Sequence, residues 1–228
     1  MKKLETKNSK YLDLITYVVC FALVIATPYL AGPTAPLFDW VGYGAMRNFF
    51  YELFTGIYWV IEIILMAVFY KKKLKKTILS NPETKGQELP YKRIAVISVV
   101  VAVCILVISA QIRFNVKPFY DLGEKFNGYE LMNHIGIFIR NIVKCVWIVI
   151  MAKAIQSFFE QIGSGKINQL PYAGFVLMMT VGIYDFIIGA NSLAVTYLFL
   201  YVIYGWLYLL TDRSMMKTYL LVMFIFLF

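Results

Sequence analysis

Residues 132–155 read MNHIGIFIRNIVKCVWIVIMAKAI, and this stretch decides the fold class. A helix of that length spans roughly 36 Å at 1.5 Å per residue, enough to cross the roughly 30 Å hydrocarbon core of a bilayer. Two bases, Arg140 and Lys144, lie inside the run, where charged side chains are costly and are normally paired within a helix bundle. The stretch therefore predicts a membrane-spanning helix with one polar face.

The composition of the whole chain agrees with this interpretation. Of its 228 residues, 61% are hydrophobic and 15% are charged, whereas about 25% of the residues in a typical soluble domain are charged. The composition excludes an ordinary soluble domain and predicts a single transmembrane domain over residues 1–228.

Other apolar runs flank this stretch and complete the six predicted spans of an all-α, polytopic membrane protein. The spans cover approximately residues 11–31, 48–70, 93–112, 132–155, 171–190 and 193–211. Residues 218–228 are also apolar, but at about 16 Å of helix they are too short to cross a bilayer. They are predicted to form an interfacial or re-entrant tail, with the end of a seventh helix as the alternative.

The distribution of basic residues predicts the orientation. Among the 22 Lys and Arg residues, Arg140 and Lys144 lie inside a span, four (Arg47, Arg113, Lys117 and Lys125) lie on one side of the six spans, and the other sixteen, which include Lys153 at a span end, lie on the opposite side. Since cytoplasmic loops carry the excess of Lys and Arg, both termini are predicted to be cytoplasmic. Short loops and the absence of an N-x-S/T sequon favour a prokaryotic cytoplasmic membrane. Orientation accounts for most of the bases, so membrane lipids, and no nucleic acid, are the expected partners.

Four charged residues lie near the middle of predicted spans: Glu62, Arg140, Lys144 and Asp185. Counting from the predicted cytoplasmic ends at 1.5 Å per residue places Glu62 and Lys144 at about 13 Å and the other two at about 20 Å. Because opposite charges then match in depth, Glu62 is predicted to pair with Lys144 and Asp185 with Arg140, or all four to form one network. Pairing that serves only helix association is the alternative.

Helical periodicity adds uncharged and acidic side chains to these four. Glu52, Trp59 and Glu62 share one face of the second span, and tyrosines recur at helical spacing in the sixth. The faces together predict a polar, aromatic-lined cavity that opens outward and binds a ligand or ion. Packing alone is the other interpretation of the tyrosine row. The predicted site residues are Glu52, Trp59, Glu62, Arg140, Lys144, Asp185, Tyr197, Tyr201 and Tyr204.

Cofactor and metal chemistry receives no support from the sequence. Cys20, Cys104 and Cys145 lie in three separate apolar segments, and His134 is the single histidine. This excludes a disulfide framework and a multi-histidine metal centre. No phosphate-binding loop or nucleophile motif is present. We expect no cofactor, no metal and no catalytic residues.

Three functions remain open. The favoured one is a solute-handling protein, either a transporter or the solute-binding membrane subunit of one. In helix count the chain is similar to the S-components of energy-coupling-factor vitamin transporters, and this resemblance implies docking to a partner membrane protein through the first span, at Ala22 and Ala26. The second is a non-catalytic sensor, immunity or accessory protein that binds a lipid, a peptide or a partner membrane protein. The least favoured is an intramembrane enzyme, for which Glu52 and His134 are the acid/base candidates at matching depth.

Overall fold

The structure, a computed structural model, describes residues 2–33, 44–73, 89–111, 128–163, 170–189 and 194–227. The described part is helical and contains no β-strand, which confirms the all-α fold class. Its helices are α1 (Lys2–Ala31), α2 (Gly44–Lys73), α3 (Tyr91–Gln111), α4 (Gly128–Ile162), α5 (Tyr172–Leu177), α6 (Ile183–Gly189), α7 (Ala194–Leu210) and α8 (Met215–Leu227). A π-helical turn, Met178–Gly182, joins α5 to α6.

Four helices in the described part are long and apolar enough to cross a membrane. Their apolar segments are Tyr11–Ala31, Met46–Lys72, Tyr91–Gln111 and Leu131–Ile162. Three shorter apolar helical segments follow, at Tyr172–Ile187, Val195–Leu210 and Met215–Phe226. The chain is thus a helical protein suited to a membrane. Predicted segment ends at residues 112, 190, 193 and 228 lie outside the described residues, as do the loop bases Lys75, Lys76, Lys85, Arg113, Lys117, Lys125 and Lys166.

Helix α4 is the central element of the bundle. It packs along α2 and α1 and also contacts α5, α7 and α8. Its middle, from Trp147 to Ala152, is at most 2% exposed at every residue. A segment that is apolar on all sides is covered by other helices or by lipid, and here other helices cover it. The burial of this segment explains why the sequence of residues 132–155 is so strongly apolar.

Helix α3 lies at the edge of the bundle. Its buried residues form one seam, Ile97, Val101, Cys104 and Ile108, spaced at single helical turns. The other faces are exposed, with Val99 at 63%. Neighbours cover only this narrow seam of α3, so the remaining apolar surface is available to lipid.

Helices α5 and α7 cross at backbone contact. A Cβ atom added to Gly205 would lie 2.2 Å from the backbone nitrogen of Gly174, and one added to Gly174 would lie 2.5 Å from the carbonyl oxygen of Val202. Small residues allow such close approach between membrane helices. The crossing fixes the position of α7 beside the segment that carries Asp185.

The apolar tail forms α8, which runs back along α7. Phe226, near its end, stacks on Tyr197, near the start of α7, with ring centroids 5.8 Å apart. Thr218, Val222 and Ile225 are fully buried. The tail is therefore packed along the bundle and does not lie across its end.

Candidate functional site

Asp185, on α6, forms contacts with two other helices of the bundle. Lys144 on α4 donates to both of its carboxylate oxygens, at 2.8 and 2.7 Å. The Tyr201 hydroxyl on α7 donates to Oδ2 at 2.5 Å. The side chains of Lys144 and Asp185 are 14% and 23% exposed. Hydrogen bonds to an ionised acceptor are among the stronger ones, so this contact joins three helices.

The π-helical turn directly before α6 determines the direction in which Asp185 projects. One extra residue in a helix rotates everything after it by about 100°. Within this turn Thr180 donates to the carbonyl oxygen of Val176 at 2.7 Å. Its hydroxyl lies 2.5 Å from that of Tyr17 on α1, so Tyr17 is the donor in that contact. The turn is thereby attached to α1 by a side-chain hydrogen bond.

A second charged pair lies one turn away along α4. Arg140 Nη1 lies 2.5 Å from Glu52 Oε2 on α2. The Nε of the same guanidinium is buried and has no hydrogen-bond partner among the described residues. Close helix packing brings the pair together. A Cβ atom at Gly136 would lie 3.0 Å from the carbonyl oxygen of Phe49.

The two pairs belong to one group, which we call the charged cluster: Glu52, Arg140, Lys144, Asp185 and Tyr201. Arg140 and Lys144 are four residues apart on one helix, a spacing that places side chains side by side. Glu52 also interacts electrostatically with Lys144. The four charges sum to zero, which is how charge is tolerated inside an apolar bundle.

The pairing differs from the one expected from sequence. Lys144 pairs with Asp185 and not with Glu62, and Arg140 pairs with Glu52 and not with Asp185. Glu62 instead accepts a hydrogen bond from Thr27 Oγ1 on α1, at 2.7 Å. The error comes from the estimated depth of the two bases along α4. The count took Lys153 as the end of the fourth span, but α4 continues nine residues further, to Ile162, or about 14 Å.

The predicted tyrosine row divides between different partners. Tyr201 and Tyr204 are both buried and meet edge to face, with centroids 5.8 Å apart. The Tyr204 hydroxyl has no hydrogen-bond partner among the described residues. Tyr197 packs on Phe226 of α8. Tyr201 is the member of this row that donates a hydrogen bond to Asp185.

Buried polar atoms without a described partner recur along α2 and α4. Besides Glu52 and Arg140 they include the indole nitrogens of Trp59 and Trp147 and the amide oxygen of Asn133. Trp59 was predicted as a site residue from its helical face, and it is 2% exposed. Buried polar groups are nearly always paired with protein or water. These two helices therefore carry unused hydrogen-bonding capacity.

Two polar networks near the far end of α4 were not predicted. Asp13 on α1 accepts hydrogen bonds from Ser157 and Gln161, at 2.7 and 2.6 Å. Glu160 binds the Arg213 guanidinium, with Nε at 2.9 Å and Nη2 at 2.7 Å. Their signal in the sequence was two pairs of polar residues after Lys153, Gln156-Ser157 and Glu160-Gln161. That stretch was interpreted as part of a loop.

Metal-ligand chemistry is not evident in the described part of the chain. No group of three or more His, Cys, Asp or Glu side chains converges there. Cys20, Cys104 and Cys145 are buried on separate helices and form no disulfide. His134 lies on α4. It is the single histidine of the sequence, so no second histidine can act as a ligand beside it.

No family model matches the chain, and no curated protein or solved structure matches it either. The chemistry of the charged cluster is therefore the basis for a proposal about function.

Proposed function

We propose that the chain is a multi-pass protein of a prokaryotic cytoplasmic membrane that binds or transports a small polar solute at the charged cluster. In this proposal six spans cross the membrane, both termini are cytoplasmic, and the solute enters from the outer side. The distribution of Lys and Arg supports the orientation.

The observation that carries the proposal is the incomplete pairing of Glu52 and Arg140. Their side chains are 29% exposed for Arg140 and 13% for Glu52, and the buried Nε of Arg140 lacks a hydrogen-bond partner among the described residues. Leaving such a group unpaired costs about 1–3 kcal/mol, and more when it is charged. A solute that supplies an acceptor to Arg140 Nε would offset this cost. Helix association alone would be served by a fully satisfied pair, as Lys144 and Asp185 form.

The surrounding tyrosines support a route to the cluster. Tyr51 interacts electrostatically with Glu52, Arg140 and Tyr29, and Tyr184 with Tyr29, Tyr51 and Asp185. Tyr29, near the end of α1, is 67% exposed. The aromatic side chains thus extend from the charged pairs to the surface at the end of α1, the proposed outer side. Aromatic walls with a few polar groups are typical of small-molecule sites.

Native mass spectrometry of the protein extracted in mild detergent tests the proposal. Arg140→Gln removes the base whose Nε has no described partner. Arg213→Gln is the matched control, because it removes a base that binds Glu160 near the far end of α4. We expect a small-solute adduct on the wild type and on the Arg213 variant, and its loss from the Arg140 variant. The proposal is wrong if wild type and both variants, all folded, show the same spectrum of adducts.

The orientation has its own test. Single cysteines are placed at Gly32, just beyond α1, and at Ser214, in the turn between α7 and α8, on a background in which the native cysteines are replaced by alanine. A membrane-impermeant maleimide applied to intact cells should label position 32 and should reach position 214 only after the membrane is opened. The reverse pattern contradicts the proposed topology.

A further inference from the structure

Glu62 is an acid inside a predicted span that lies outside the charged cluster. Thr27 Oγ1 on α1 donates to its Oε1 at 2.7 Å, and Thr27 itself is 0% exposed. The second oxygen, Oε2, is buried and has no hydrogen-bond partner among the described residues. The Thr27 hydroxyl is therefore the one hydrogen-bond partner that the described residues give this carboxyl.

Among the residues whose side chains the structure describes, no base contacts the carboxyl from the two helices that make the main contacts with α2. Helix α1 presents Thr27. On α4, Arg140 contacts Glu52 and Lys144 contacts Asp185. Lys153, further along α4, interacts electrostatically with Asp13. On α2 itself, Tyr70 interacts with Cys20 and Asp13.

The neighbours of Glu62 on α2 are apolar and face outward from the bundle. Ile61 is 46% exposed and Leu65 is 63% exposed. Glu62 lies ten residues from Lys72 and sixteen from Met46, the ends of the apolar segment, or about 15 and 24 Å along the helix. The carboxyl thus lies between α1 and the apolar outer surface, far from either end.

An ionised carboxylate in such surroundings lacks both water and a counter-charge. Transfer of an isolated charge into an apolar medium is so unfavourable that the group neutralises instead. A neutral acid, in contrast, carries no net charge, and its carbonyl oxygen accepts the hydrogen bond that Thr27 donates. The one unpaired O–H that remains costs much less than an isolated charge. We propose that Glu62, held by Thr27, is a proton-binding site on the outer surface of the α1 and α2 pair, separate from the charged cluster.

This inference does not depend on the proposed solute site. The two sites use different acids, and these acids contact different helices, since Glu52 contacts α4 and Glu62 contacts α1. Proton binding at Glu62 can be measured with no solute known.

Dicyclohexylcarbodiimide is the probe for a neutral carboxyl in an apolar environment. The acid adds across one N=C bond: its proton goes to nitrogen and its oxygen bonds to the central carbon. An acyl shift from oxygen to nitrogen then leaves a stable N-acylurea that retains every atom of the reagent. An ionised carboxylate paired with a base is not expected to react in this way.

The experiment uses the full chain in lipid vesicles, with the modified residue located by peptide mass spectrometry. We expect the label on Glu62 at neutral pH, less of it as the pH rises, and none in Glu62→Gln. Glu52 and Asp185 should remain unlabelled in the same sample. The proposal is overturned if Glu62 is unlabelled while the protein is folded, or if its labelling is the same across the pH range.

Infrared spectroscopy gives a second readout that needs no reagent. The difference spectrum between wild type and Glu62→Gln in bilayers at neutral pH should show the loss of one protonated-carboxyl C=O band. Thr27→Val should shift the frequency of that band because it removes the hydroxyl donor. Thr16→Val, at a buried threonine of α1 that donates to the carbonyl oxygen of Leu12, should leave it unchanged. Loss of a carboxylate band in place of the C=O band contradicts the proposal.

Discussion

The Lys144 ammonium lies within 2.8 Å of both carboxylate oxygens of Asp185. Arg140, one turn earlier on α4, contacts Glu52 on α2 instead. The two bases of the central helix are therefore divided between α2 and α6. This division links the bundle through charge and leaves the two pairs unequal, because only the first is fully satisfied.

Tyr201 and Tyr204 should respond oppositely to loss of the hydroxyl. Tyr201→Phe removes a hydrogen bond to a charged acceptor and should destabilise by about 1.5 kcal/mol, the upper range for bonds between membrane helices. Tyr204→Phe removes a buried hydroxyl without a described partner and should be neutral or stabilising. The measurement is thermal unfolding in detergent. Equal losses in the two variants would contradict the assignment of the hydrogen bond.

The glycines at the crossing of α5 and α7 should not accept a side chain. A Cβ atom at Gly174 or Gly205 would meet backbone atoms at 2.5 or 2.2 Å, so Gly174→Ala or Gly205→Ala must separate the helices and should cost about 1–3 kcal/mol. Gly56→Ala is the matched control, because its nearest contact, the Arg140 Cα, lies at 3.5 Å. Unfolding midpoints of the three variants provide the comparison. A Gly56 variant as unstable as the other two would show that the close approach is not the cause.

Replacement of the two α2 acids by their amides should distinguish their environments. Glu62→Gln keeps a neutral, isosteric acceptor for Thr27 and should change the unfolding free energy by less than about 0.5 kcal/mol. Glu52→Gln leaves the buried Arg140 without its counter-charge and should cost about 3 kcal/mol or more. Denaturant titration in mixed micelles measures both. A large loss for the Glu62 variant with none for the Glu52 variant would exchange the roles of the two acids.

The turn before α8 holds two residues in the left-handed region, Asp212 with φ 53° and Arg213 with φ 61°. Arg213→Ala and Arg213→Gly both remove the ion pair with Glu160, but only glycine adopts this conformation without strain. The glycine variant should therefore be more stable than the alanine variant, by about 0.5–1 kcal/mol. Comparison of their melting temperatures isolates the backbone contribution. An alanine variant that melts higher than the glycine variant would contradict a strained turn.

The sequence was sufficient for the helical class, for the boundaries of the apolar segments within a few residues except at the end of α4, and for the presence of charged residues inside the apolar segments. It was not sufficient for their pairing, because the register between two helices depends on contacts such as Gly136 against Phe49, which no single span contains. The extent of α4 past Lys153 shifted the counted depth by more than two turns. The π-helical turn before Asp185 left no mark in hydropathy, since its residues, Met178–Gly182, are as apolar as those around them.

The Lys144 and Asp185 pair joins α4 to α6 within the charged cluster. A double-mutant cycle in bilayers measures the coupling between these two residues. Lys144→Met and Asp185→Leu should each destabilise by about 3 kcal/mol, because each leaves a buried charge without its partner. The double variant should be more stable than the sum of the two losses predicts, by more than about 1 kcal/mol. Lys144→Met combined with Glu62→Gln should be additive within about 0.5 kcal/mol. Additivity in the first cycle together with strong coupling in the second would contradict the structure of the charged cluster.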